Sequence, residues 1–186
     1  DYTGYMNLTD KELYSPYLFK NIEAAANLFT YHITRDSSVV TILVDCDVDG
    51  FTSAAILYNY IQDIGFKGTI HTLFHGKKQH GLTDDGITVP QDTTLLIIPD
   101  AGSNDADQCA ALCGQMDILI LDHHIIERQN SHAIIVNSQD GQYPNKELSG
   151  AGVVWKFCQV LDDMQWTEYA NKYTDLAAVG NIADVM

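Results

Sequence analysis

The sequence is short of positive charge. It holds 10 Lys and Arg against 25 Asp and Glu, a formal net charge of −15. That balance argues against a broad basic surface of the kind that drives non-specific duplex binding. It leaves open a nucleotide or single strand held through metal ions, because two divalent ions return about four positive charges at one site. Cysteine is also scarce. Cys46, Cys109, Cys113 and Cys158 form no CxxC pair, and a reduced, cytoplasmic compartment is the default. No apolar run approaches a membrane span and no signal-peptide pattern opens the chain, so no membrane partner is expected. Neither GxGxxG nor GxxxxGK[ST] occurs, which speaks against a Rossmann-type nucleotide binder. Linkers, repeats and low-complexity segments are lacking too. With 186 residues, 46% hydrophobic and 19% charged, the chain reads as one domain over 1–186, with 1–14 as a polar arm.

What is present is organised around Val39 to Ser53. The run Val39-Val40-Thr41-Ile42-Leu43-Val44 predicts a strand buried on both faces, as in a parallel sheet. It leads into Asp45, Asp47 and Asp49, then Gly50, then Thr52 and Ser53, one of which is expected to cap the next helix. The acids therefore fall at the carboxyl end of a strand, where open α/β sheets bind ligands. Three carboxylates so close repel one another unless a cation intervenes, and a hard metal ion is the simplest one. An EF-hand also begins Asp-x-Asp-x-Asp-Gly, but its twelfth position needs Glu and here is Ile56.

Helices are expected over Leu18–Tyr31, over Thr52–Ile64 with Gly65 as C-cap, and from Asn104 or Asp105 through Leu112. Further strands are expected at Thr69–Phe74, Thr94–Pro99, Asp117–Leu121 and His132–Val136. Ser149 is expected to cap a helix opening Gly150-Ala151-Gly152, whose N-terminus suits either an anion or a tight helix-to-sheet contact. Residues 167–186 read as a final helix or helix pair. Strands alternating with helix-length segments predict an α/β fold, a mostly parallel five-stranded sheet with helices on both faces. The polar loop from His75 to Gly86 holds Lys77-Lys78 and His80, which fit either a solvated loop or a phosphate contact.

Asp100 follows the third strand, and Asp122-His123-His124 follows the fourth. In a parallel sheet these ends share one edge with Asp45, Asp47 and Asp49, so the groups converge. Mostly carboxylate with one or two imidazoles suits manganese or magnesium better than zinc. Four or five carboxylates exceed the needs of one ion and point to two divalent ions bridged by an Asp about 3.5–4 Å apart, an arrangement used in phosphoester hydrolysis.

Five segments carry a specific resemblance: Asp45-x-Asp47-x-Asp49-Gly50-x-Thr52-Ser53, Asp100-Ala101-Gly102, Asp122-His123-His124, Ser149-Gly150-Ala151-Gly152, and Gly180-Asn181-Ile182-Ala183-Asp184-Val185. In this order they resemble the DHH phosphoesterase superfamily, and its RecJ branch of single-strand-specific exonucleases in particular, over roughly residues 15–186. The resemblance implies a first metal held by Asp47 with help from Asp45. It implies a second held by Asp49, His123 and Asp184, with Asp100 bridging. It makes His124 a contact to the scissile phosphate and Asp122 a residue that orients the site. Lys77, Lys78, His80, Ser149 and Gly150 are the remaining candidates for holding substrate. The family segment that usually carries an Arg and Gly-Tyr-Gly reads Lys77-Lys78 and Gln79-His80-Gly81 here, and a His that some members place four residues before the first metal-binding Asp is Leu43. The family's second, C-terminal domain, with its Gly-rich His motif, is not seen in the sequence, so this chain is expected to partner the C-terminal domain of a longer protein. The implied activity is two-metal hydrolysis of single-stranded DNA in the 5′→3′ direction. The alternatives are a phosphoesterase for short oligonucleotides, cyclic dinucleotides or pyrophosphate, and a non-catalytic scaffold in a replication assembly.

Overall fold

The computed structural model describes residues 13–75, 80–83 and 86–184. Most of the expected N-terminal arm, and Lys77 and Lys78 of the candidate phosphate loop, therefore lie outside the described residues.

Five strands are described: β1 (Val39–Val44), β2 (Thr69–Phe74), β3 (Leu95–Pro99), β4 (Asp117–Asp122) and β5 (Ile134–Asn137). They form one sheet in the order β2-β1-β3-β4-β5, and every pair is parallel. The helices are α1 (Ile22–Ile33), α2 (Val48–Asp63), α3 (Ala106–Leu112), α4 (Gly150–Gln165) and α5 (Thr174–Ala183). Side chains alternate across the strands. Val40, Ile42, Val44, Leu95, Ile97, Leu119 and Leu121 pack with α1, α2, α4 and α5 in the larger core. Leu43, Leu96, Ile98, Ile118 and Ile120 pack with Cys109 of α3 in the smaller one. The expected α/β sheet with a helix layer on each face is thus observed.

The crossover from β1 to β2 runs through α2 and that from β3 to β4 through α3, on opposite faces. Strand order reverses between β1 and β3, which opens a crevice at their carboxyl ends. Asp45 and Asp100 follow the two strands that flank it.

Several boundaries differ from expectation for physical reasons. Helix α2 starts at Val48, four residues before Thr52, because Asp47 caps it: its Oδ1 accepts the Gly50 N–H at 2.9 Å. Thr52 is inside the helix, where its hydroxyl donates back to the Val48 carbonyl at 2.9 Å. The first expected helix is split, with a 3₁₀ turn at Pro16–Leu18 and α1 starting only after Asn21, whose φ of 65° cannot continue a helix. The last segment is likewise a 3₁₀ turn at Tyr169–Tyr173 followed by α5. Asp105 occupies the N-cap position of α3 without making the cap bond; its Oδ2 accepts from the Leu82 N–H at 2.7 Å instead.

Candidate metal centre

The acids reach the crevice from four directions. Asp45 leaves β1 directly and is buried. Asp47 is exposed at the α2 N-cap. Asp49, in the first turn of α2, is buried under the N-terminus of α4 and accepts the N–H groups of Gly150 at 2.6 Å and Ala151 at 3.0 Å. The anion at that helix N-terminus is therefore a side chain of the protein itself. Asp100 follows β3 in the left-handed region, with φ of 67°, a conformation that disfavours residues other than Gly, Asn and Asp. Its own N–H extends the ladder to the Leu121 carbonyl at 2.8 Å. Asp184 arrives from the C-terminal end of α5.

His123 ties these groups together. Its Nε2 lies 3.1 Å from Asp100 Oδ1, 3.7 Å from Asp184 Oδ2 and 3.8 Å from Asp49 Oδ2. Among the donor groups whose ligand atoms lie within 4.8 Å of one another are Asp45/Asp47/Asp100 and Asp49/His123/Asp184, with Asp45/Cys46/His80 beside the first. Asp100 also groups with His123 and His124, so it stands between the two sets.

The space for this crowding is made by glycines. A Cβ at Gly50 would fall 2.5 Å from the Asp45 Cβ, and Cβ atoms at Gly150 and Gly180 would overlap Asp100 and Asp49. Gly150 lies in the helix-to-acid contact, and Ser149 is fully buried as the α4 cap, its Oγ accepting the Gly152 N–H at 3.3 Å. Ser149 and Gly150, the expected substrate contacts, are both buried here, where Ser149 caps α4 and Gly150 packs against Asp49 and Asp100.

Electrostatics follow from the packing. Burial, then the charges of Asp49, Asp47 and Asp122, push Asp100 up to about 11. Burial likewise raises Asp184 above the ordinary carboxylate value. Asp122 goes the other way. Burial by itself would raise it, but hydrogen bonding and charge from His124, with Ser103 also bonded, hold it well below the usual range. His124 is raised in return, chiefly by the 2.8 Å bond from its Nδ1 to Asp122 Oδ1. Asp122 Oδ1 also accepts the N–H groups of His123 and His124 at 2.7 and 3.1 Å, so this carboxylate orients the whole His-His turn.

The centre fits divalent cations on its own evidence. Asp45 Oδ1 and Asp100 Oδ1 are buried without a hydrogen bond, and a bound cation would satisfy both. Hard oxygen donors with a minority of imidazole match manganese or magnesium.

The two histidines of the candidate phosphate loop, His80 among the expected substrate contacts, lie against Asp45, and the role of Asn137 was not foreseen. His75 Nε2 lies 3.8 Å from Asp45 Oδ1, and His80 Nδ1 lies 2.6 Å from Asp45 Oδ2. His80 also lines a cavity of about 310 Å³ with Gly102, Ser103, Asn104, Asp122 and His124 beside the centre. Asn137, buried at the end of β5, donates to Ser103 Oγ at 2.8 Å and to the His124 carbonyl at 3.0 Å. Its place at a strand end level with Asp122 was the only sequence signal for that role.

A parallel sheet with its switch point lined by carboxylate-rich groups defines an α/β protein whose acidic residues could hold a divalent metal. The DHH family, N-terminal domain, matches residues 39–181, and the chain belongs to that family. It is 42% identical over 166 residues to a Bacillus subtilis protein named as a prophage-derived single-strand DNA-specific exonuclease, YorK; the match covers 88% of this chain and 28% of that protein. The single-stranded-DNA-specific exonuclease RecJ of Bacillus subtilis is 28% identical over 189 residues, 98% of this chain and 23% of that one. This chain thus spans about a quarter of the length of these relatives. Among solved structures, an exonuclease RecJ bound to manganese superimposes with a TM-score of 0.75 at 23% identity, covering 90% of this chain and 44% of that one. RecJ of Thermus thermophilus in complex with Mn2+ gives 0.73 at 22% identity, covering 90% and 24%. These likenesses establish the RecJ-type fold. Among the described residues no helix is long and apolar enough to cross a membrane.

Proposed function

We propose that this chain is the catalytic DHH domain of a RecJ-like exonuclease that hydrolyses phosphodiester bonds of single-stranded DNA from the 5′ end with two divalent ions, manganese or magnesium. The observation that carries the proposal is the pair of donor sets joined at Asp100. A bound ion pair supplies Lewis-acid stabilisation of the negative charge that develops on phosphorus oxygens. Asp45, Asp47 and Asp100 hold the first position, and Asp49, His123 and Asp184 hold the second. His124, half-exposed and favoured in its protonated form by Asp122, faces the crevice as a donor to a phosphate oxygen. Asp45 Oδ1 and Asp100 Oδ1, buried without a hydrogen bond, are the oxygens the ions would engage. A longer protein's C-terminal domain closes over the substrate in this proposal.

Manganese titration by calorimetry together with cleavage of a labelled single strand tests this. Two sites per chain and manganese-dependent release of mononucleotides are expected, and Asp100→Ala removes both. Cleavage retained in Asp100→Ala overturns the bridging role. Faster turnover of a dinucleotide than of a long strand replaces the exonuclease reading with a short-substrate phosphoesterase, and failure to bind manganese leaves a scaffold.

A further inference from the structure

Two aromatic rings meet at the rim of the acid centre without burying themselves. Phe51 is 51% exposed and Phe74 is 56% exposed, yet their centroids are 6.0 Å apart with planes inclined by 27°. That is an offset stack with about half of each residue left exposed, an unfavourable exposure of apolar area for a chain that only needs to fold. The pair is tied to the centre through the backbone. Phe74 ends β2 in register with Val44, the residue before Asp45. Phe51 lies one turn along α2 from Asp47, whose carbonyl accepts its N–H at 3.0 Å. One turn is about 5.4 Å along the axis, comparable to the reach from a phosphate to the base of its own nucleotide. Val48, next to Asp47, is also exposed.

We infer that the Phe51–Phe74 pair is a stacking platform for a nucleobase of the bound strand, adjoining a phosphodiester that divalent ions at Asp47 and Asp100 would hold. This rests on the hydrolase reading above and adds to it the means of holding the substrate. Net charge of −15 denies the chain a broad Coulombic grip, whereas base stacking on aromatic rings works without charge. The rings carry no hydrogen-bonding group, so the platform accepts any base, with larger purines favoured. A base within a duplex has both faces covered by its neighbours, so only an unpaired strand can use the platform.

The test is made on the manganese-loaded protein with phosphorothioate-linked dT oligomers, which hydrolyse slowly enough for binding to be read. 2-Aminopurine is placed at each position in turn, since its emission falls on stacking. Quenching is expected at one position beside the cleaved bond, and is lost in F51L/F74L, which keeps apolar volume but has no ring. That variant binds the ordinary strand about tenfold or more weakly, the range for one stacked base. A strand made abasic at the quenched position binds both proteins alike. The inference is overturned by quenching at no position, by quenching that persists in the variant, or by an equal loss on ordinary and abasic strands. It is also overturned if the variant only lowers the melting temperature, since the rings then face another part of the protein. Because stacking is read from binding, the result stands apart from hydrolysis. A protein that cleaves but shows no base dependence loses only the platform, and one that stacks but does not cleave loses only the hydrolase reading.

Discussion

Substituting Asp100 by Asn separates the two demands placed on that residue. Asp100 is 1% exposed and titrates up to about 11, so the metal-free folded chain keeps its proton at pH 7. The unfolded chain releases the same proton near pH 3.9, about 3 pH units lower than 7. The unfolded state therefore binds fewer protons than the folded state above that value, and stability falls as pH rises from about 4 toward 11. At roughly 1.4 kcal/mol per unit, this one group lowers stability by at most about 4 kcal/mol between pH 4 and 7. Relaxation and water penetration reduce that to about 1–3 kcal/mol. Asn is neutral at every pH and tolerates the φ of 67° that Asp100 adopts. In EDTA at pH 7, Asp100→Asn is thus expected to be more stable than the parent by about 1–3 kcal/mol, with a shallower pH dependence; the raised Asp184 leaves a residual slope. Manganese reverses the order, since it stabilises only a chain that binds it, by about 2.7 kcal/mol at 100-fold excess over Kd. Urea denaturation at pH 5, 6, 7 and 8, with and without manganese, reads all of this. A variant less stable than the parent at pH 7 without metal, or one with an unchanged pH slope, refutes the reasoning.

Other consequences are equally direct. Gly180→Ala drives a methyl group into Asp49 and Ala151, so manganese affinity at the Asp49/His123/Asp184 set should fall at least tenfold and stability by about 1–3 kcal/mol, read by calorimetry and denaturation. Asn137→Ala removes the bonds to Ser103 and the His124 carbonyl, with an expected loss of about 1–3 kcal/mol; an unchanged denaturation midpoint would show that the His-His turn holds itself. Nuclear magnetic resonance titration should place His124 above the ordinary imidazole value in the metal-free protein, and Asp122→Asn should return it toward that value, because the Asp122 bond is the main cause of the shift.

Much of the fold was legible because strand signals are local. Thr69–Phe74 is a strand over the predicted residues, and the apolar runs at Val39, Leu95 and Asp117 became β1, β3 and β4 with both faces buried. The start of α2 was misplaced because two capping signals compete there. Thr52 and Ser53 match the pattern, but Asp47 is the stronger cap and Gly50 permits a helix backbone to pass against Asp45. Asp184 was beyond any strand-end argument and was reached only through resemblance, since nothing in helical periodicity separates it from a surface acid.

The sequence by itself determined that acids end three parallel strands and that parallel strands share an edge, which is enough to bring most of these acids together. Only the tertiary structure decided which carboxylate faces which partner. Asp49 meets Gly150, 101 residues away, Asp45 meets His80, Asp100 turns left-handed between two donor sets, and Phe51 finds Phe74 across the edge of the sheet. Periodicity and capping act over one or two turns of chain, whereas desolvation, charge repulsion and ring stacking depend on neighbours that only folding brings together.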